Sequence, residues 1–215
     1  MRARPGAPSG METSPGSRPS KAAVFLDRDG VLIEDRNYVH RVEDVKIIPG
    51  GPAALKRLTQ QGFMLFIVTN QSGIGRGYYT LEDMHRVNAF IEAEYAHAGV
   101  RWHRLYFAPE APDAPSRGRK PSPQFIFDAR DEFGVDLARS FMVGDKISDL
   151  ECGWNAGVER ALLVRTGYGS KTEKRYADRM SQAVIVDDLP AAADWIIQRV
   201  RSRPDNDPNR GHPGG

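Results

Sequence analysis

Cysteine is almost absent from this chain: Cys152 is the one cysteine among 215 residues. A single cysteine excludes a disulfide framework within the chain and a structural zinc site built from several thiolates. Such a count fits a reducing compartment. The first twenty residues also lack an apolar run of signal-peptide length, so we expect a cytoplasmic protein.

Long apolar runs and an excess of one charge are missing as well. No stretch reaches the ~20 apolar residues that a membrane-spanning helix requires. Lys and Arg number 30 against 28 Asp and Glu, and the formal net charge of +2 is too balanced to indicate a nucleic-acid or membrane surface. The sequence therefore predicts no membrane or nucleic-acid partner. The charge balance does not exclude small anionic molecules as substrates.

Both ends of the chain are rich in Pro, Gly and small polar residues. This composition predicts disordered tails over residues 1–20 and 203–215. Residues 21–202 have the length of one domain. The overall apolar content of 40% and charged content of 27% are ordinary for a globular protein. A domain of this length buries a core without disulfides or a structural metal.

Short apolar runs alternate with helix-length segments along residues 21–202. Strands are predicted at Ala22–Asp27, Phe63–Thr69, Trp102–Phe107, Ser140–Gly144, Arg160–Val164 and Ala183–Val186. Helices are predicted from the Pro49–Pro52 turn to Gln61 and at Leu81–Ala98, Pro123–Phe133, Leu150–Ala156 and Pro190–Arg201. This order indicates an α/β fold with a single doubly wound, Rossmann-like parallel sheet and helices on both faces.

Ligands of such folds bind at the carboxyl ends of the strands. The first predicted strand ends in Asp27-Arg28-Asp29-Gly30. Two carboxylates two positions apart can hold Mg²⁺ while one attacks phosphorus and the other acts as a general acid. The alternative is a solvated turn in which the glycine supplies a positive φ.

The second predicted strand ends in Thr69-Asn70-Gln71-Ser72, followed by the glycine-rich run Gly73–Gly77. A hydroxyl and amides beside free backbone N–H groups form a nest for phosphate oxygens. A flexible glycine turn is the alternative. The nucleotide P-loop pattern is not matched, because no Lys-Ser or Lys-Thr follows the last glycine.

Charged residues follow the third and fourth strands too. Lys120 is a candidate to neutralise a phosphoryl group, and Arg119 to grip a second phosphate in a bidentate manner. Asp145 is a candidate metal ligand, and Asp149, four residues later, a candidate to orient Lys120 or the metal's water shell. A solvated basic loop and a simple helix cap are the alternatives. Together, the residues after four successive strands indicate a phosphoryl-transfer site.

Four segments, FLDRDGVL, VTNQSGIGRG, RKPSP and VGDKISDLECGWNAG, resemble in order and spacing the motifs of the haloacid dehalogenase superfamily of phosphatases. The resemblance covers about residues 22–165 and implies a magnesium-dependent phosphatase without a large cap domain. It implies Asp27 as the nucleophile that forms an aspartyl-phosphate and Asp29 as general acid and later base. It further implies that Thr69 and Lys120 bind the phosphoryl group, and that Mg²⁺ is held by Asp27, the Asp29 carbonyl and Asp145, with Asp149 in support.

The finer resemblance is to the subgroup of D-glycero-D-manno-heptose 1,7-bisphosphate 7-phosphatases and histidinol-phosphatases. It implies a monomer acting on a small phosphorylated sugar, with the 7-phosphate of the heptose removed during synthesis of activated heptose or lipopolysaccharide precursors. The substrate contacts that it implies are Asp35, Arg36, Asn37, Tyr38, Asn70, Gln71, Ser72, Arg119 and Lys146. Histidinol phosphate, a polynucleotide 3′-phosphate and a binding protein without catalysis are the alternatives.

One feature departs from the subgroup's pattern. Many members hold zinc in the loop before the lysine motif through Cys, His, Cys and Cys. The corresponding positions here are Ala108, Glu110, Ser116 and Gly118, which do not form a tetrahedral zinc site. We therefore expect no zinc, and we expect proline to supply the rigidity of this loop.

Overall fold

A computed structural model of the chain describes residues 21–203. The tails expected at 1–20 and 203–215 lie outside the described residues, apart from Arg203, whose guanidinium pairs with Glu159. Among the described helices, none combines the length and the apolar character that crossing a membrane requires.

Strands and helices alternate along the described chain. The strands are β1 (Ala23–Leu26), β2 (Met64–Asn70), β3 (Trp102–Ala108), β4 (Phe141–Gly144), β5 (Arg160–Val164) and β6 (Ala183–Val186). The α-helices are α1 (Gly51–Gln60), α2 (Leu81–His97), α3 (Gln124–Phe133), α4 (Ile147–Ala156), α5 (Gly169–Arg175) and α6 (Leu189–Arg201). Single turns of 3₁₀-helix occur at Val42–Asp44 and Leu137–Arg139, and a longer one at Ala177–Gln182.

The strands form one sheet in the order β3-β2-β1-β4-β5-β6, and every neighbouring pair is parallel. In the centre of the sheet, Val24 of β1 lies beside Leu65 of β2 and Phe141 of β4. The strand order reverses direction beside β1. In an open α/β sheet such a reversal opens a crevice at the carboxyl ends of the strands, where ligands bind.

Each face of the sheet is covered by helices. Val24 and Leu26 of β1 pack in the cluster formed with α1, α2 and α6, whereas Ala23 and Phe25 pack in the cluster formed with α3 and α4. All four side chains are fully buried, which explains why the strands read as continuous apolar runs. Full burial of a Leu or Phe side chain stabilises the fold by about 1.5–3 kcal/mol. The predicted doubly wound α/β fold is confirmed.

The structure differs from the sequence prediction around α4 and α5. The helix α4 begins at Ile147, three residues before the predicted start, because Asp149 caps it from within its first turn. The Asp149 Oδ2 atom accepts the backbone N–H of Lys146 at 2.9 Å, which satisfies a donor at the start of the helix. The short helix α5 and the 3₁₀-helix after it were not predicted, because their polar sequences carry no clear apolar period.

The connection from β1 to α1 passes over the carboxyl end of the sheet. This connection contains one helical turn, Val42–Asp44. The segment Asp35–His40, which precedes that turn in the same connection, is here called the flap. No cap domain is inserted in the part of the chain from 21 to 203, as the sequence predicted. The carboxyl ends of the strands are therefore covered by loops alone.

Candidate active site

Parallel strands bring four of the predicted segments to one edge of the sheet. Asp27 follows β1, Thr69 lies near the end of β2, and Asp145 follows β4. Lys120 comes from the loop between β3 and α3 and reaches the same place. The neighbouring positions of β1, β2 and β4 in the sheet are the reason that these distant residues meet.

The ammonium group of Lys120 is the centre of a buried charge cluster. Its Nζ lies 2.7 Å from Asp27 Oδ1 and 2.6 Å from Asp149 Oδ1, and it donates to the Val68 carbonyl at 2.8 Å. These contacts use all three protons of a lysine ammonium. Burial favours the neutral amine, but Asp149 and Asp27 outweigh it and raise the pKa of Lys120.

The carboxylate of Asp27 stays charged in this cluster. Burial acts to raise its pKa, but the positive charges of Lys120 and Lys146 outweigh burial, so the pKa lies below its ordinary value. Asp27 is 5% exposed, so this charged carboxylate is kept largely out of water, which suits the predicted role of nucleophile.

Asp27, Asp145 and Asp149 each offer one carboxylate oxygen, and these oxygens all lie within 4.8 Å of one another. Asp145 Oδ2 accepts the backbone N–H of Tyr168 at 2.7 Å, whereas the buried Oδ1 accepts no hydrogen bond from the described residues. Burial raises the pKa of Asp145 to about 8; Lys146 lowers it, and the two other carboxylates raise it. A buried carboxyl oxygen without a hydrogen bond, in a group of carboxylates whose mutual repulsion disfavours ionisation, fits a hard divalent cation such as Mg²⁺, which would compensate their charge.

Two glycines allow the chain to approach Asp145 closely. A Cβ atom added to Gly30 or to Gly167 would lie 2.3 Å from Asp145 Oδ2. Both residues also have positive φ, at 88° and 57°. A side chain at either position would be strained and would collide with this carboxylate.

Asp29 is held beside the buried cluster by Arg28 and Gln71. Arg28 donates from Nε to Asp29 Oδ2 and from Nη2 to Asp29 Oδ1, both at 3.0 Å. Gln71 Nε2 donates to Asp29 Oδ2 at 3.0 Å and to Thr69 Oγ1 at 2.8 Å, and its Oε1 accepts the Tyr79 hydroxyl at 2.7 Å. The buried Gln71 therefore links the candidate acid–base residue to the candidate phosphate-binding hydroxyl.

A cavity of about 290 Å³ opens next to these residues. Eight of the nine predicted substrate contacts line it: Asp35, Asn37, Tyr38, Asn70, Gln71, Ser72, Arg119 and Lys146. Arg36 does not line it, because its exposed guanidinium pairs with Glu34 at 3.1 Å. Lys146 joins the cavity to the buried cluster, since its Nζ lies 3.0 Å from Asp35 Oδ2 and 3.6 Å from Asp145 Oδ1.

Asn70 positions the lysine loop. Its Nδ2 donates to the Lys120 carbonyl at 3.1 Å, and its Oδ1 accepts the Lys120 backbone N–H at 3.0 Å. This pair of hydrogen bonds crosses fifty residues of sequence. The amide therefore holds the main chain of Lys120 in addition to lining the cavity.

The loop before Lys120, in which the resemblance places the zinc ligands of other members, is closed by hydrogen bonds. Ser116 Oγ donates to Glu110 Oε2 at 2.7 Å and accepts the backbone N–H of Arg119 at 3.2 Å. Arg119 Nη1 donates to the Glu110 carbonyl at 3.2 Å. Among Ala108, Glu110, Ser116 and Gly118, one carboxylate is the single anionic donor, so the set does not fit tetrahedral zinc.

Comparisons with known proteins identify the family of this chain. The HAD-hydrolase-like family model matches residues 118–192. The D-glycero-D-manno-heptose-1,7-bisphosphate 7-phosphatase of Thermosynechococcus vestitus is 36% identical over 196 residues, which cover 85% of this chain and 99% of that protein. The chain belongs to this family of HAD-hydrolase-like phosphatases.

Two further relatives support the assignment. The D-glycero-beta-D-manno-heptose-1,7-bisphosphate 7-phosphatase of Escherichia coli K12 is 33% identical, with 86% of this chain and 93% of that protein covered. The crystal structure of D,D-heptose 1,7-bisphosphate phosphatase from B. bronchiseptica, complexed with magnesium and phosphate, superposes with a TM-score of 0.77. It is 31% identical and covers 83% of this chain and 99% of that one.

Four residues that line the cavity of this phosphatase were not among the predicted site residues: Arg28, Tyr79, Ser148 and Tyr168. Arg28 is 1% exposed although it stands between two aspartates, and no sequence signal distinguishes it from a solvated arginine. Tyr168 lines the cavity just after β5. The rule that ligands bind at the carboxyl ends of the strands would have found it, had the rule been applied to the fifth strand as well.

Proposed function

We propose that this phosphatase removes the 7-phosphate of D-glycero-D-manno-heptose 1,7-bisphosphate through an aspartyl-phosphate on Asp27. The main support is the buried Asp27–Lys120 pair at 2.7 Å beside the orphaned oxygen of Asp145, in a chain 36% identical to a phosphatase of that name. A charged carboxylate with a fixed ammonium beside it is suited to attack phosphorus and to balance the developing charge.

The proposed reaction has two steps. A carboxylate oxygen of Asp27 attacks phosphorus in line, the bond from phosphorus to the sugar oxygen breaks, and Asp29 gives its proton to that oxygen. Asp29 then takes a proton from water as the water oxygen attacks the acyl phosphate, which releases inorganic phosphate and restores Asp27. Arg28 and Gln71 hold the Asp29 carboxylate in place between these steps.

Asp27, Asp145 and the Asp29 main-chain carbonyl are the proposed ligands of Mg²⁺. Asp149 is proposed as a supporting residue and not as a direct ligand. Its Oδ1 already contacts Lys120, and its Oδ2 already accepts the backbone N–H groups of Asp145 and Lys146. When bound, the ion supplies positive charge to the phosphoryl oxygens. Thr69 and Lys120 are the proposed protein donors to the same oxygens.

A sugar bisphosphate fits the distribution of charge in the cavity. Lys120 belongs to the buried cluster, whereas Arg119 and Lys146 line the cavity and remain for a second phosphate. A guanidinium binds phosphate in a bidentate manner, and an ammonium binds it as a point charge. The polar side chains of the flap, Asn70 and Ser72 are then the proposed contacts of the sugar hydroxyls.

The same proposal covers the state of the protein. We expect one phosphatase domain over residues 21–202, a monomer without zinc, and a cytoplasmic location. The buried free thiol of Cys152 fits a reducing compartment.

The deciding experiment measures phosphate release with and without Mg²⁺ from four substrates in parallel. These are the two anomers of heptose 1,7-bisphosphate, histidinol phosphate and a 3′-phosphorylated oligonucleotide. We expect a kcat/KM for one heptose anomer at least about 100-fold above the last two substrates, a ratio within reach of a site that binds a second phosphate. Faster turnover of histidinol phosphate or the oligonucleotide would overturn the heptose assignment, and turnover unaffected by EDTA would overturn the magnesium site.

A further inference from the structure

Tyr168 forms a wall of the cavity that the proposed reaction does not use. It follows β5 and precedes α5, with its side chain at the cavity and 36% of its surface exposed. The hydroxyl donates to Asn37 Oδ1 in the flap at 3.0 Å. The two residues are far apart in sequence, so this hydrogen bond ties the flap to the loop after β5.

The backbone of Tyr168 is fixed from below. Its N–H donates to Asp145 Oδ2 at 2.7 Å, and Thr172, one turn later, donates from Oγ1 to the Asp145 carbonyl at 2.8 Å. The adjacent Gly167 packs against the same carboxylate. The ring therefore projects from a rigid base, although it stands at the surface.

The ring of Tyr168 also positions a charged group of the cavity. Lys146 Nζ lies 4.9 Å from the ring centroid, a cation–π contact, and 3.0 Å from Asp35 Oδ2. Lys171 Nζ lies 5.4 Å from the same centroid, outside the residues that line the cavity. Tyr168 and Asp35 together hold the Lys146 ammonium at the cavity wall.

The flap is backbone-strained where Tyr168 holds it. Asn37 and Tyr38 are consecutive non-glycine residues with φ of 57° and 56°. A positive φ is uncommon for such residues and persists when surrounding contacts enforce it. Within the flap, the Asn37 N–H donates to Asp35 Oδ1 at 3.0 Å. From outside it, the Tyr168 hydroxyl donates to Asn37, and the Tyr78 ring packs on the Tyr38 ring in a T-shaped arrangement with centroids 4.9 Å apart.

We propose that Tyr168 is a specificity-determining residue, which holds the flap and Lys146 so that the cavity binds a sugar bearing a second phosphate. The flat ring offers an apolar surface to the C–H groups of a sugar, beside a hydroxyl and an ammonium for its polar groups. This inference rests on the proposed function. It adds a residue that recognises the part of the substrate other than the transferred phosphate, namely the sugar and its second phosphate.

The test compares heptose 1,7-bisphosphate with p-nitrophenyl phosphate, which has no second phosphate. For Tyr168→Phe, which keeps the ring, we expect the ratio of the two kcat/KM values to fall about five-fold, mainly through KM, as for the loss of one hydrogen bond. For Tyr168→Ala we expect a larger fall, of about 20-fold or more, because the cation–π contact is lost too.

A double-mutant cycle identifies the hydrogen bond to the flap. Asn37→Gly removes the acceptor and tolerates the positive φ. If the Tyr168–Asn37 bond carries the effect, Tyr168→Phe combined with Asn37→Gly shifts the ratio no further than Asn37→Gly alone. Tyr176→Phe, outside the cavity, is the matched control and should leave both substrates as in the wild type.

The two proposals fail in different measurements. A wild-type protein that hydrolyses p-nitrophenyl phosphate but not the heptose overturns the proposed function. In that case the heptose bisphosphate is used as an inhibitor of p-nitrophenyl phosphate hydrolysis, and its inhibition constant in each Tyr168 variant is compared with that of the wild type. A ratio in both Tyr168 variants equal to that of the wild type, or fully additive effects in the cycle, overturns the role of Tyr168. A wild-type protein that neither hydrolyses nor binds the heptose overturns both.

Discussion

The Lys120 ammonium lies 2.7 Å from the Asp27 carboxylate, and the two side chains are 2% and 6% exposed. The pair joins a loop residue to the end of the central strand, and Asp149 completes it from the first turn of α4. Because little water reaches these charges, each depends on the others for compensation. Substitutions here therefore affect folding and chemistry together, and the two effects have to be measured separately.

Asp27→Asn should abolish turnover while the protein stays folded. The amide oxygen remains an acceptor for Lys120, but the nucleophile is lost, so we expect kcat to fall at least about 10,000-fold. Phosphate release and a thermal unfolding curve should be recorded together, with the exposed Asp178→Asn as control. More than a trace of wild-type turnover in a folded Asp27→Asn protein would exclude Asp27 as the nucleophile.

Lys120→Met should destabilise the protein. It leaves the carboxylates of Asp27 and Asp149 buried without their shared cation, at a cost of about 3–5 kcal/mol. Urea unfolding would measure the loss, with Lys56→Met at an exposed position as control. Adding Asp149→Asn to Lys120→Met should recover part of the stability, since one unpaired charge is then removed. A Lys120→Met protein as stable as the control would contradict the buried cluster.

Arg28→Met should lower kcat more than it raises KM. Arg28 holds both carboxylate oxygens of Asp29 at 3.0 Å and also donates to Asn88 Oδ1 at 2.9 Å. Loss of this orientation should cost about 100-fold in kcat, the lower range for general acid–base catalysis. Steady-state kinetics would measure it, with the exposed Arg139→Met as control. Lower stability with unchanged kcat would assign Arg28 a structural role only.

Ser116→Ala should weaken binding of the second phosphate without involving zinc. The substitution removes the hydrogen bond to Glu110 and the acceptor for the Arg119 backbone, worth about 1 kcal/mol, or about five-fold in KM. Kinetics with the bisphosphate would test this, with Ser122→Ala in the same region as control.

Elemental analysis of the purified protein should find no stoichiometric zinc, and finding it would refute the zinc-free loop.

His103 should make the fold less stable in mild acid. Burial first, then Arg101 and Lys21, lower the pKa of His103 from 6.5, and its Nδ1 accepts the Leu65 backbone N–H at 3.2 Å. The unfolded chain therefore takes up this proton first as the pH falls, so the contribution is present above about pH 6.5 and is lost below it.

The measurement for His103 is urea unfolding at pH 7.5 and pH 5.5. His103→Asn keeps an acceptor for Leu65 but cannot take up the proton, so its free energy of unfolding should change less between the two pH values than that of the wild type. The exposed His85→Asn serves as control and should follow the wild type. An equal pH dependence in all three proteins would refute the prediction.

Sequence patterns predicted the fold well where burial on both sides of the sheet produces continuous apolar runs. All six strands and the five longer helices were predicted, and the comparisons confirm the family and the phosphatase class. The helix α5 was missed because it covers little of the core, so its sequence has no apolar period to read. Catalytic and binding roles of individual residues stay predictions until the variants above are measured.

Residue types and their order in the sequence determined the chemistry: carboxylates after β1 and β4, a hydroxyl at the end of β2, and a lysine before α3. A parallel sheet must bring such positions to one edge, because every strand runs the same way. Only the tertiary structure decided that Arg28 is buried against Asp29, that Arg36 pairs with Glu34 and does not line the cavity, and that Tyr168 reaches Asn37. Those contacts depend on loop conformation and side-chain direction, which local sequence does not encode by itself.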